Sequence, residues 1–325
     1  MSMRDLLTNL SSQPDQVIFG WLERANALRS AKHVISLPDT CPGKSPLPTG
    51  TGFLTEAADW RQYALSDVGC GIAVVRTQLT LDDTKSDAFR STWDALCADL
   101  ARQRNKGLGD LGSGNHFLDA VASYEDESIC IVVHTGSRKE SGLVDNLVDQ
   151  PIKFDKEFAR IKGWAKDNRD AVLNITEKHL GRFVDLYPKL SKLDRDHNHY
   201  EELDEGVLIR KGSQRVEPDE LALIPSNLLD DMVIVRATEK VSDIYNCLPH
   251  GTGRTMSRSN AKKATSTFDF SAMRDTVYIP TQIADASLRT EAPICYRPLD
   301  AGLEMVVEYI DVVERFVPIA YIGQL

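Results

Sequence analysis

Predicted strands that run directly beside short polar motifs are the feature of this sequence that most restricts its fold. The apolar run Ile129-Cys130-Ile131-Val132-Val133 is typical of a buried strand, and His134-Thr135-Gly136-Ser137-Arg138 follows it at once. The run Gly71-Ile72-Ala73-Val74-Val75 has the same character and directly follows Asp67-Val68-Gly69-Cys70. Strands arranged in this way predict a central site whose active side chains lie among them.

The rest of the chain mixes strands and helices without a regular βαβ alternation. Residues 18–29 and 154–187 have helical periodicity, and Pro188 is expected to end the second helix. Further short strands are predicted at 206–210, 232–236 and 306–313. The pattern favours a mixed α+β fold in a single large domain, residues 1–325, with the helical segment of about 154–187 inserted into it.

Composition limits the function classes. The 325 residues are 42% hydrophobic, enough for a substantial core, and no apolar run approaches the roughly 20 residues that span a bilayer. No signal-peptide core follows residues 1–5, so we expect a cytoplasmic protein without a membrane partner. The six cysteines form no C-x-x-C pair, which disfavours a zinc ribbon or a disulfide framework. The net charge of −10 argues against a general nucleic-acid coat, but it allows a local basic site.

The richest motif is Leu248-Pro249-His250-Gly251-Thr252-Gly253-Arg254-Thr255-Met256-Ser257-Arg258. Glycines let backbone N–H groups approach an anion, and arginines offer fork-shaped donors for phosphate. A histidine placed among them could attack phosphorus and hold a nucleotide as a phosphoramidate. The motif therefore predicts phosphate chemistry centred on His250.

Several other polar motifs offer metal ligands. Asp67 and Cys70 are framed by glycines, and His116, His134 and His197 each lie in a glycine- or asparagine-flanked motif. A carboxylate, a thiolate and imidazoles suit Mn²⁺, Co²⁺ or Zn²⁺ better than Mg²⁺ or Ca²⁺. A thiolate can also bridge two ions, which favours a two-metal site for phosphoryl transfer.

Each candidate has an ordinary alternative. Cys70 taken alone is more often a small core residue, and Cys97 lies in a helical stretch where packing explains it. His199 is either a ligand or only a neighbour of His197. His33 and His179 lack glycine or asparagine neighbours and are interpreted as structural.

Seven motifs, in the same order along the chain, resemble those of the RtcB family of GTP-dependent RNA ligases. They are Leu37-Pro38-Asp39-Thr40-Cys41-Pro42-Gly43, Asp67-Val68-Gly69-Cys70-Gly71, Gly114-Asn115-His116-Phe117-Leu118-Asp119, His134-Thr135-Gly136-Ser137-Arg138, His197-Asn198, Arg210-Lys211-Gly212-Ser213 and His250-Gly251-Thr252-Gly253-Arg254. One such motif alone is a modest signal, whereas seven in family order are a strong one.

The resemblance implies a ligase that joins an RNA 3′-phosphate or 2′,3′-cyclic phosphate end to a 5′-hydroxyl end, in RNA repair or tRNA splicing. His250 would carry GMP taken from GTP. Cys70 would bridge two Mn²⁺ ions, and Zn²⁺ or Co²⁺ suits the same donors. The other implied ligands are Asp67 and His116 on one ion and His134 and His197 on the second.

The resemblance also implies contacts to the nucleotide and to RNA, and an activating protein is a further implied partner. The expected nucleotide contacts are Asn115, Asp119, Asn198, Ser213, Gly251, Thr252, Gly253 and Arg254. The expected RNA or phosphate contacts are Arg138, Lys211 and Arg258.

The chain departs from the family pattern at several positions. Cys41, Ile209 and Thr252 replace a histidine, a histidine and an alanine, and Asp119 replaces the longer glutamate. The chain ends Ala320-Tyr321-Ile322-Gly323-Gln324-Leu325, without the lysine by which the family reads guanine. These departures keep two alternatives open: a metal-dependent RNA-end hydrolase or end-capping enzyme that has lost sealing, and a non-catalytic RNA-binding paralogue.

Overall fold

The computed structural model describes residues 6–42 and 46–325, in which helices and strands are irregularly interspersed. The strands are β1 (Leu7–Asn9), β2 (Ala31–Cys41), β3 (Thr49–Thr55), β4 (Gly71–Thr80), β5 (Phe117–Ser123), β6 (Ser128–Thr135), β7 (Lys192–Asp196), β8 (Asn198–Leu203), β9 (Gly206–Lys211), β10 (Ser213–Arg215), β11 (Leu221–Ile224), β12 (Met232–Ala237), β13 (Cys247–Pro249) and β14 (Ile310–Gly323). The helices are α1 (Asp15–Arg24), α2 (Leu81–Thr84), α3 (Asp87–Gln103), α4 (Pro151–Leu180), α5 (Arg258–Ala264), α6 (Ser271–Thr276), α7 (Asp285–Leu288) and α8 (Leu299–Glu304). This mixture is the predicted α+β class. Residues 1–5 and Gly43, both used in the sequence predictions, lie outside the described residues.

Two larger sheets and a two-stranded ribbon organise the described residues. The seven-stranded sheet has the order β11-β12-β14-β5-β6-β4-β7, and the five-stranded sheet has the order β1-β2-β3-β9-β8. In the ribbon, β10 pairs with β13, whose Pro249 directly precedes His250. Strand β7 of the first sheet is followed immediately by His197 and by strand β8 of the second. The candidate site residues therefore gather where the two sheets meet.

The seven-stranded sheet is apolar on both faces because its inner strands are covered on both sides. Along β4, Ala73 and Val75 pack in one cluster, whereas Ile72 and Val74 pack in another. The first cluster includes Trp93 of α3 and residues of α4, so the sheet and these helices share one core. Successive strand side chains point to opposite faces, which explains the continuous apolar runs in the sequence.

The five-stranded sheet also has two apolar faces. On one face, Val34 and Phe53 pack with Ile18 and Leu22 of α1 and with the first turns of α4. On the other, Ile35 and Leu54 pack with residues of β11 and β12. Helix α4 thus contacts the cores of both sheets and links them.

Several predicted boundaries are wrong. The helix predicted over 154–187 spans Pro151–Leu180 and ends at Gly181, whose positive φ of 87° suits a residue without a side chain. The helix predicted over 18–29 ends at Arg24, and a 3₁₀ turn at Leu28–Ser30 replaces its last part. The strand predicted from residue 306 begins at Ile310. Apolar side chains in the neighbouring turns placed the predicted ends of both helices too late and the predicted start of the strand too early.

The described parts of the chain contain no helix that is both long enough and apolar enough to cross a membrane. The strands predicted at 129–133, 71–75, 206–210 and 232–236 are confirmed, each within slightly longer strands. The single-domain boundary of residues 1–325 stays a prediction.

Candidate metal centre and nucleotide cavity

Two groups of potential metal ligands share one cysteine. Asp67, Cys70 and His116 form one group, called the Asp67 group, and Cys70, His134 and His197 form the other, called the His197 group. Within each group, the candidate ligand atoms all lie within 4.8 Å of one another. The Cys70 Sγ atom lies 3.4 Å from His116 Nε2 and 3.3 Å from His134 Nε2. The structure thus brings together all five residues that the sequence analysis named as metal ligands.

Local backbone geometry explains this convergence. Asp67 and Cys70 lie on the tight turn before β4, and Asp67 has a positive φ of 51°. His134 lies at the end of β6, the strand that pairs with β4 and β5. His197 follows β7, and its backbone N–H donates to the Cys70 carbonyl at 2.8 Å. Sheet pairing therefore sets the distance between ligands that are far apart in sequence.

The donor set fits divalent first-row metal ions. Burial lowers the pKa of His134 and of His197 well below the usual value, so both imidazoles are neutral at physiological pH. The Nδ1 atom of His197 is buried without a hydrogen-bond partner within the described residues. Neutral imidazoles beside a thiol and a carboxylate are the ligands that Mn²⁺, Co²⁺ and Zn²⁺ accept.

Charged neighbours of Cys70 shift the pKa of its thiol in opposite directions. Burial raises the pKa of the Cys70 thiol well above its usual value and Asp67 adds to this rise, whereas Arg169 and Lys211 act in the opposite direction. Burial acts to raise the pKa of Asp67, but hydrogen bonding and charge from His116 hold it well below its usual range. A bound cation would favour the Cys70 thiolate, because metal binding displaces the thiol proton.

His250 has a defined orientation beside the metal groups. Its Nδ1 atom lies 2.6 Å from Asp39 Oδ2 and 2.9 Å from the Gly212 carbonyl oxygen. Both neighbours are acceptors, so in the neutral ring Nδ1 carries the proton and Nε2 carries the lone pair. The ring centroids of His250 and His197 are 4.5 Å apart. The oriented imidazole of His250 therefore lies next to the His197 group.

A cavity of about 1020 Å³ lies over these groups. Its lining includes His250 with Gly251, Thr252 and Gly253, and it reaches Asn115 and Asp119 on β5 and the loop before it. A second cavity of about 420 Å³ lies beside it, and Asp67, Asn115 and Arg258 line both. The metal groups thus lie beside two cavities, both of which exceed the volume of about 300 Å³ at which small-molecule sites begin.

Asp119 is a buried carboxyl group within the larger cavity. It is 1% exposed, and its Oδ1 atom has no hydrogen-bond partner among the described residues. Burial raises its pKa well above the usual value. Strand pairing places it directly opposite Tyr321 of β14. An unpartnered buried carboxyl group of this kind is available to a polar ligand.

Some residues predicted to contact the nucleotide already have protein partners. Arg254 donates to the Thr290 carbonyl at 2.7 Å, to Tyr296 Oη at 2.9 Å and to the Met256 carbonyl at 3.3 Å. Asn198 accepts a hydrogen bond from the Gly212 N–H and donates to the Asp67 carbonyl. Both residues line the cavity, but their polar groups brace its wall.

The predicted phosphate contacts cluster near the Asp67 group. Arg138 Nη1 lies 3.0 Å from His116 Nδ1, and Arg258 donates to Asn115 Oδ1 at 3.1 Å. Lys211 donates to the Ser66 carbonyl, and burial lowers the pKa of its ammonium group. Three cations around one metal group make a basic end of the site within an acidic protein.

Ser213 lies apart from the cavity wall. Its side chain is fully buried, its Oγ has no partner among the described residues, and it does not line either cavity. His199 contacts Asp196 at 3.1 Å and belongs to neither metal group. His179 pairs with Asp99 at 2.6 Å, and Cys97 is a buried core residue of α3.

The sequence analysis missed several residues that complete the site. Asp39 appears in a quoted motif without a role, yet it orients His250 from a position more than 200 residues away. Glu291 accepts hydrogen bonds from Tyr296 and Gln324, and Glu291 and Tyr296 both line the larger cavity. No local pattern could reveal that Asp39 pairs with His250 or that Gln324 pairs with Glu291, because each of these contacts joins separate segments of the chain.

Comparisons with known proteins identify the family of this chain. A family model described as "tRNA-splicing ligase RtcB" matches residues 154–324, more than half of the chain. The RNA-splicing ligase RtcB of Escherichia coli K12 is 24% identical over 371 aligned positions, which cover 87% of this chain and 88% of the relative. The tRNA-splicing ligase RtcB of Nanoarchaeum equitans is 21% identical over 420 positions, covering 90% and 88%.

Two groups of potential metal ligands that share one cysteine, with an oriented histidine beside them, are typical of sites for metal-assisted phosphoryl transfer. The chain belongs to the RtcB family.

Proposed function

We propose that this protein is an RNA ligase that uses GTP to join an RNA 3′-phosphate or 2′,3′-cyclic phosphate end to a 5′-hydroxyl end. The names of its relatives, which are RNA-splicing or tRNA-splicing ligases, support an RNA ligase. The proposal further includes the use of GTP, a His250–GMP intermediate and a role in RNA repair or tRNA splicing.

One observation carries the proposal. Asp39 and the Gly212 carbonyl both accept from Nδ1 of His250, and this orientation would make Nε2 of the neutral ring the nucleophile. Without this orientation, a histidine near metal ligands would be one more candidate ligand. With it, the geometry supports covalent catalysis by His250.

In the first step, His250 Nε2 attacks the α-phosphorus of GTP. A nitrogen–phosphorus bond forms, the bond to the bridging oxygen breaks, and pyrophosphate leaves. The imidazole becomes positively charged, and the carboxylate of Asp39 stabilises it through the Nδ1–H bond. Asp39 is therefore a positioning residue for the nucleophile.

In the second step, an oxygen of the RNA 3′-phosphate attacks the phosphorus of GMP, and the bond to His250 breaks. The RNA end then carries GMP through a pyrophosphate bond. In the third step, the 5′-hydroxyl oxygen attacks the RNA 3′-phosphorus, its proton passes to solvent, and GMP leaves. Water first opens a 2′,3′-cyclic phosphate to the 3′-phosphate.

The Asp67 group and the His197 group would each hold a Mn²⁺ ion, and Cys70 belongs to both groups. When bound, such ions supply charge stabilisation for phosphoryl oxygens. Arg138, Arg258 and Lys211 would add positive charge for the phosphates of the nucleotide and RNA. Asp119 would contact the nucleoside, since its buried carboxyl group has no partner within the described protein.

The test is labelling of the protein with α-³²P-GTP, or separately with α-³²P-ATP, in the presence of Mn²⁺. We expect a GMP adduct on His250 and none in His250→Ala, which should retain bound metal. His179→Ala is the matched control, because His179 pairs with Asp99 outside the site and should label normally. Full labelling of His250→Ala would disprove the assignment.

RNA ends then distinguish ligation from related activities. Labelled oligonucleotides with a 3′-phosphate and a 5′-hydroxyl should yield joined product. Capped or opened ends without joined product would instead favour an end-capping enzyme or hydrolase. RNA binding without any adduct would favour a non-catalytic RNA-binding protein, and an activating protein partner would be sought only if the purified chain labels but does not turn over.

A further inference from the structure

Helix α4 carries a buried arginine, Arg169, whose guanidinium contacts the chain segments next to the metal groups. Arg169 is 3% exposed, and its Nη1 atom donates to the Gly69 carbonyl at 2.8 Å and to the Thr135 carbonyl at 3.4 Å. Its Nε atom donates to Asp194 Oδ1 at 2.8 Å. A buried arginine is costly unless its donors are satisfied, so these bonds constrain all three partners.

The three partners have one property in common. Gly69 directly precedes Cys70, Thr135 directly follows His134, and Asp194 lies on β7, the strand that leads into His197. One guanidinium therefore touches each of the three chain segments that carry the His197 group. The ligand side chains come from three elements, and the guanidinium adds a side-chain contact between segments that sheet pairing already places side by side.

The absence of a side chain at Gly71 leaves space for the guanidinium of Arg169. A Cβ atom at Gly71 would lie 3.0 Å from Cζ of Arg169 and 2.5 Å from the Arg195 carbonyl oxygen. The guanidinium thus lies against the bare backbone of β4, directly after the metal-binding turn. The guanidinium reaches the two carbonyls from Nη1 and the carboxylate from Nε, because its donors are fixed in one plane.

The neighbouring residue on α4 ties down another part of the site. Asn168 is fully buried, accepts hydrogen bonds from the backbone N–H groups of Gly109 and Asp110, and donates to the Asp110 and Gly136 carbonyls. These bonds reach the loop before His116 and the turn after His134. They show that α4 contacts the site through two adjacent side chains with different targets.

We propose that Arg169 is a positioning residue that holds the three segments of the His197 group in the geometry that binds its metal ion. This inference rests on the metal role in the proposed function. It does not depend on the nucleotide, on the RNA or on whether ligation occurs.

The test compares metal binding by purified full-length wild type and Arg169→Lys, measured by titration with Mn²⁺ and with Co²⁺. Lysine keeps the positive charge, but its single nitrogen cannot occupy the positions of both Nη1 and Nε, so the carbonyl contacts and the Asp194 contact should not all be retained. We expect binding of one of two ions to weaken by about 10–100-fold, the usual cost of losing a partner behind a metal ligand. The thiolate-to-Co²⁺ charge-transfer absorption should weaken in parallel.

Arg160→Lys is the matched control, because Arg160 lies on the same helix and makes exposed ion pairs with Glu140 and Glu157. It should bind metal as wild type does. Asp194→Asn is a second variant, which keeps Arg169 and its two carbonyl contacts and should weaken binding less than Arg169→Lys. Thermal unfolding of each metal-free protein reports the folded fraction.

The outcomes separate the explanations. Wild-type metal affinity and an unchanged Co²⁺ spectrum in folded Arg169→Lys would overturn the inference, even if its unfolding temperature fell, because only a structural role would remain. Absence of metal binding in the wild type would overturn both this inference and the metal part of the proposed function. Metal binding by the wild type without GMP labelling would contradict the ligase proposal alone.

Discussion

The imidazole of His250 shows how single contacts determine chemistry at the residue scale. A histidine in a glycine-rich motif could be a ligand, a base or a nucleophile. Asp39 and the Gly212 carbonyl both accept from Nδ1, so in the neutral ring Nε2 carries the lone pair. These two contacts are the structural basis for proposing His250 as the nucleophile.

Asp39→Asn should lower the rate of nucleotidylation by about 10²–10⁴-fold, because an amide can donate to Nδ1 and stabilise the wrong tautomer. Metal content should not change, since Asp39 belongs to neither metal group. Single-turnover labelling and metal analysis measure the two effects. Asp219→Asn, at an exposed ion pair, is the control. Labelling of Asp39→Asn at the wild-type rate would contradict the positioning role.

Gly136→Ala should weaken Mn²⁺ binding by at least about tenfold. The new Cβ would lie 2.5 Å from Asp67 Oδ1 and 3.0 Å from the Cβ of Cys70, so two ligands would have to move. Equilibrium dialysis against Mn²⁺ measures the loss. Gly142→Ala is a matched control nearby, because its Cβ would meet only Asp145 Oδ2 at 4.0 Å. Equal affinity in both variants would show that the site tolerates the displacement.

At the scale of elements, helix α4 has two roles along its length. Its first turns carry Phe154 and Phe158 into the core beneath the five-stranded sheet, and Val172 packs beneath the seven-stranded sheet. Between them, Asn168 and Arg169 contact the turns of the metal groups. The helix therefore couples the packing of both sheets to the geometry of the site.

Substituting alanine at two glycines, one inside this helix and one at its C-terminal end, should change the free energy of unfolding in opposite directions. Gly163 lies in the helix interior and its Cβ would meet nothing within 4 Å, so Gly163→Ala should raise the free energy of unfolding by about 0.5–1 kcal/mol. Gly181 ends the helix with φ of 87°, so Gly181→Ala should lower it. Denaturant unfolding of both variants measures the difference. A decrease for Gly163→Ala would mean that its exposed surface has another partner.

At the scale of the whole molecule, an acidic protein encloses a buried group of imidazoles. Burial lowers the pKa of His134, His197 and His199, so the folded chain resists their protonation while the unfolded chain does not. Stability from these groups is present above the unfolded pKa of about 6.5 and falls as the pH drops below it. Asp119 has the opposite effect on stability. Its raised pKa keeps it protonated in the folded state, whereas the unfolded chain ionises it, so its contribution to stability rises as the pH falls over this range.

The metal-free protein should therefore lose unfolding free energy between pH 6.5 and pH 5. Each histidine contributes up to about 1.4 kcal/mol per pH unit, and Asp119 offsets about one of the three. Denaturant unfolding in EDTA at several pH values measures the slope. His199→Gln should make the slope shallower without removing a member of either metal group. A stability that is constant or rises over this range would contradict the assignment of neutral buried histidines.

Much of the site could be predicted because its residues lie in short motifs with distinctive chemistry. Cys70, His134 and His197 each stand beside a strand, and sheet pairing brings the ends of neighbouring strands together. Helix ends were less predictable, as Leu180 shows, because apolar residues continue past the turn that stops the helix. The α+β class followed from the irregular succession of strands and helices, which survives errors at individual boundaries.

The sequence by itself determined the types of chemistry available: a histidine among glycines and arginines, a thiol with a carboxylate, and three imidazoles beside strands. Only the tertiary structure decided that Asp39 orients His250 and that Arg169 reaches the segments of the His197 group. It also decided that Arg254 braces the cavity wall through contacts with the protein. The sequence motifs show which donors and acceptors are present. Folding determines which of them bond to one another and which stay available to a ligand.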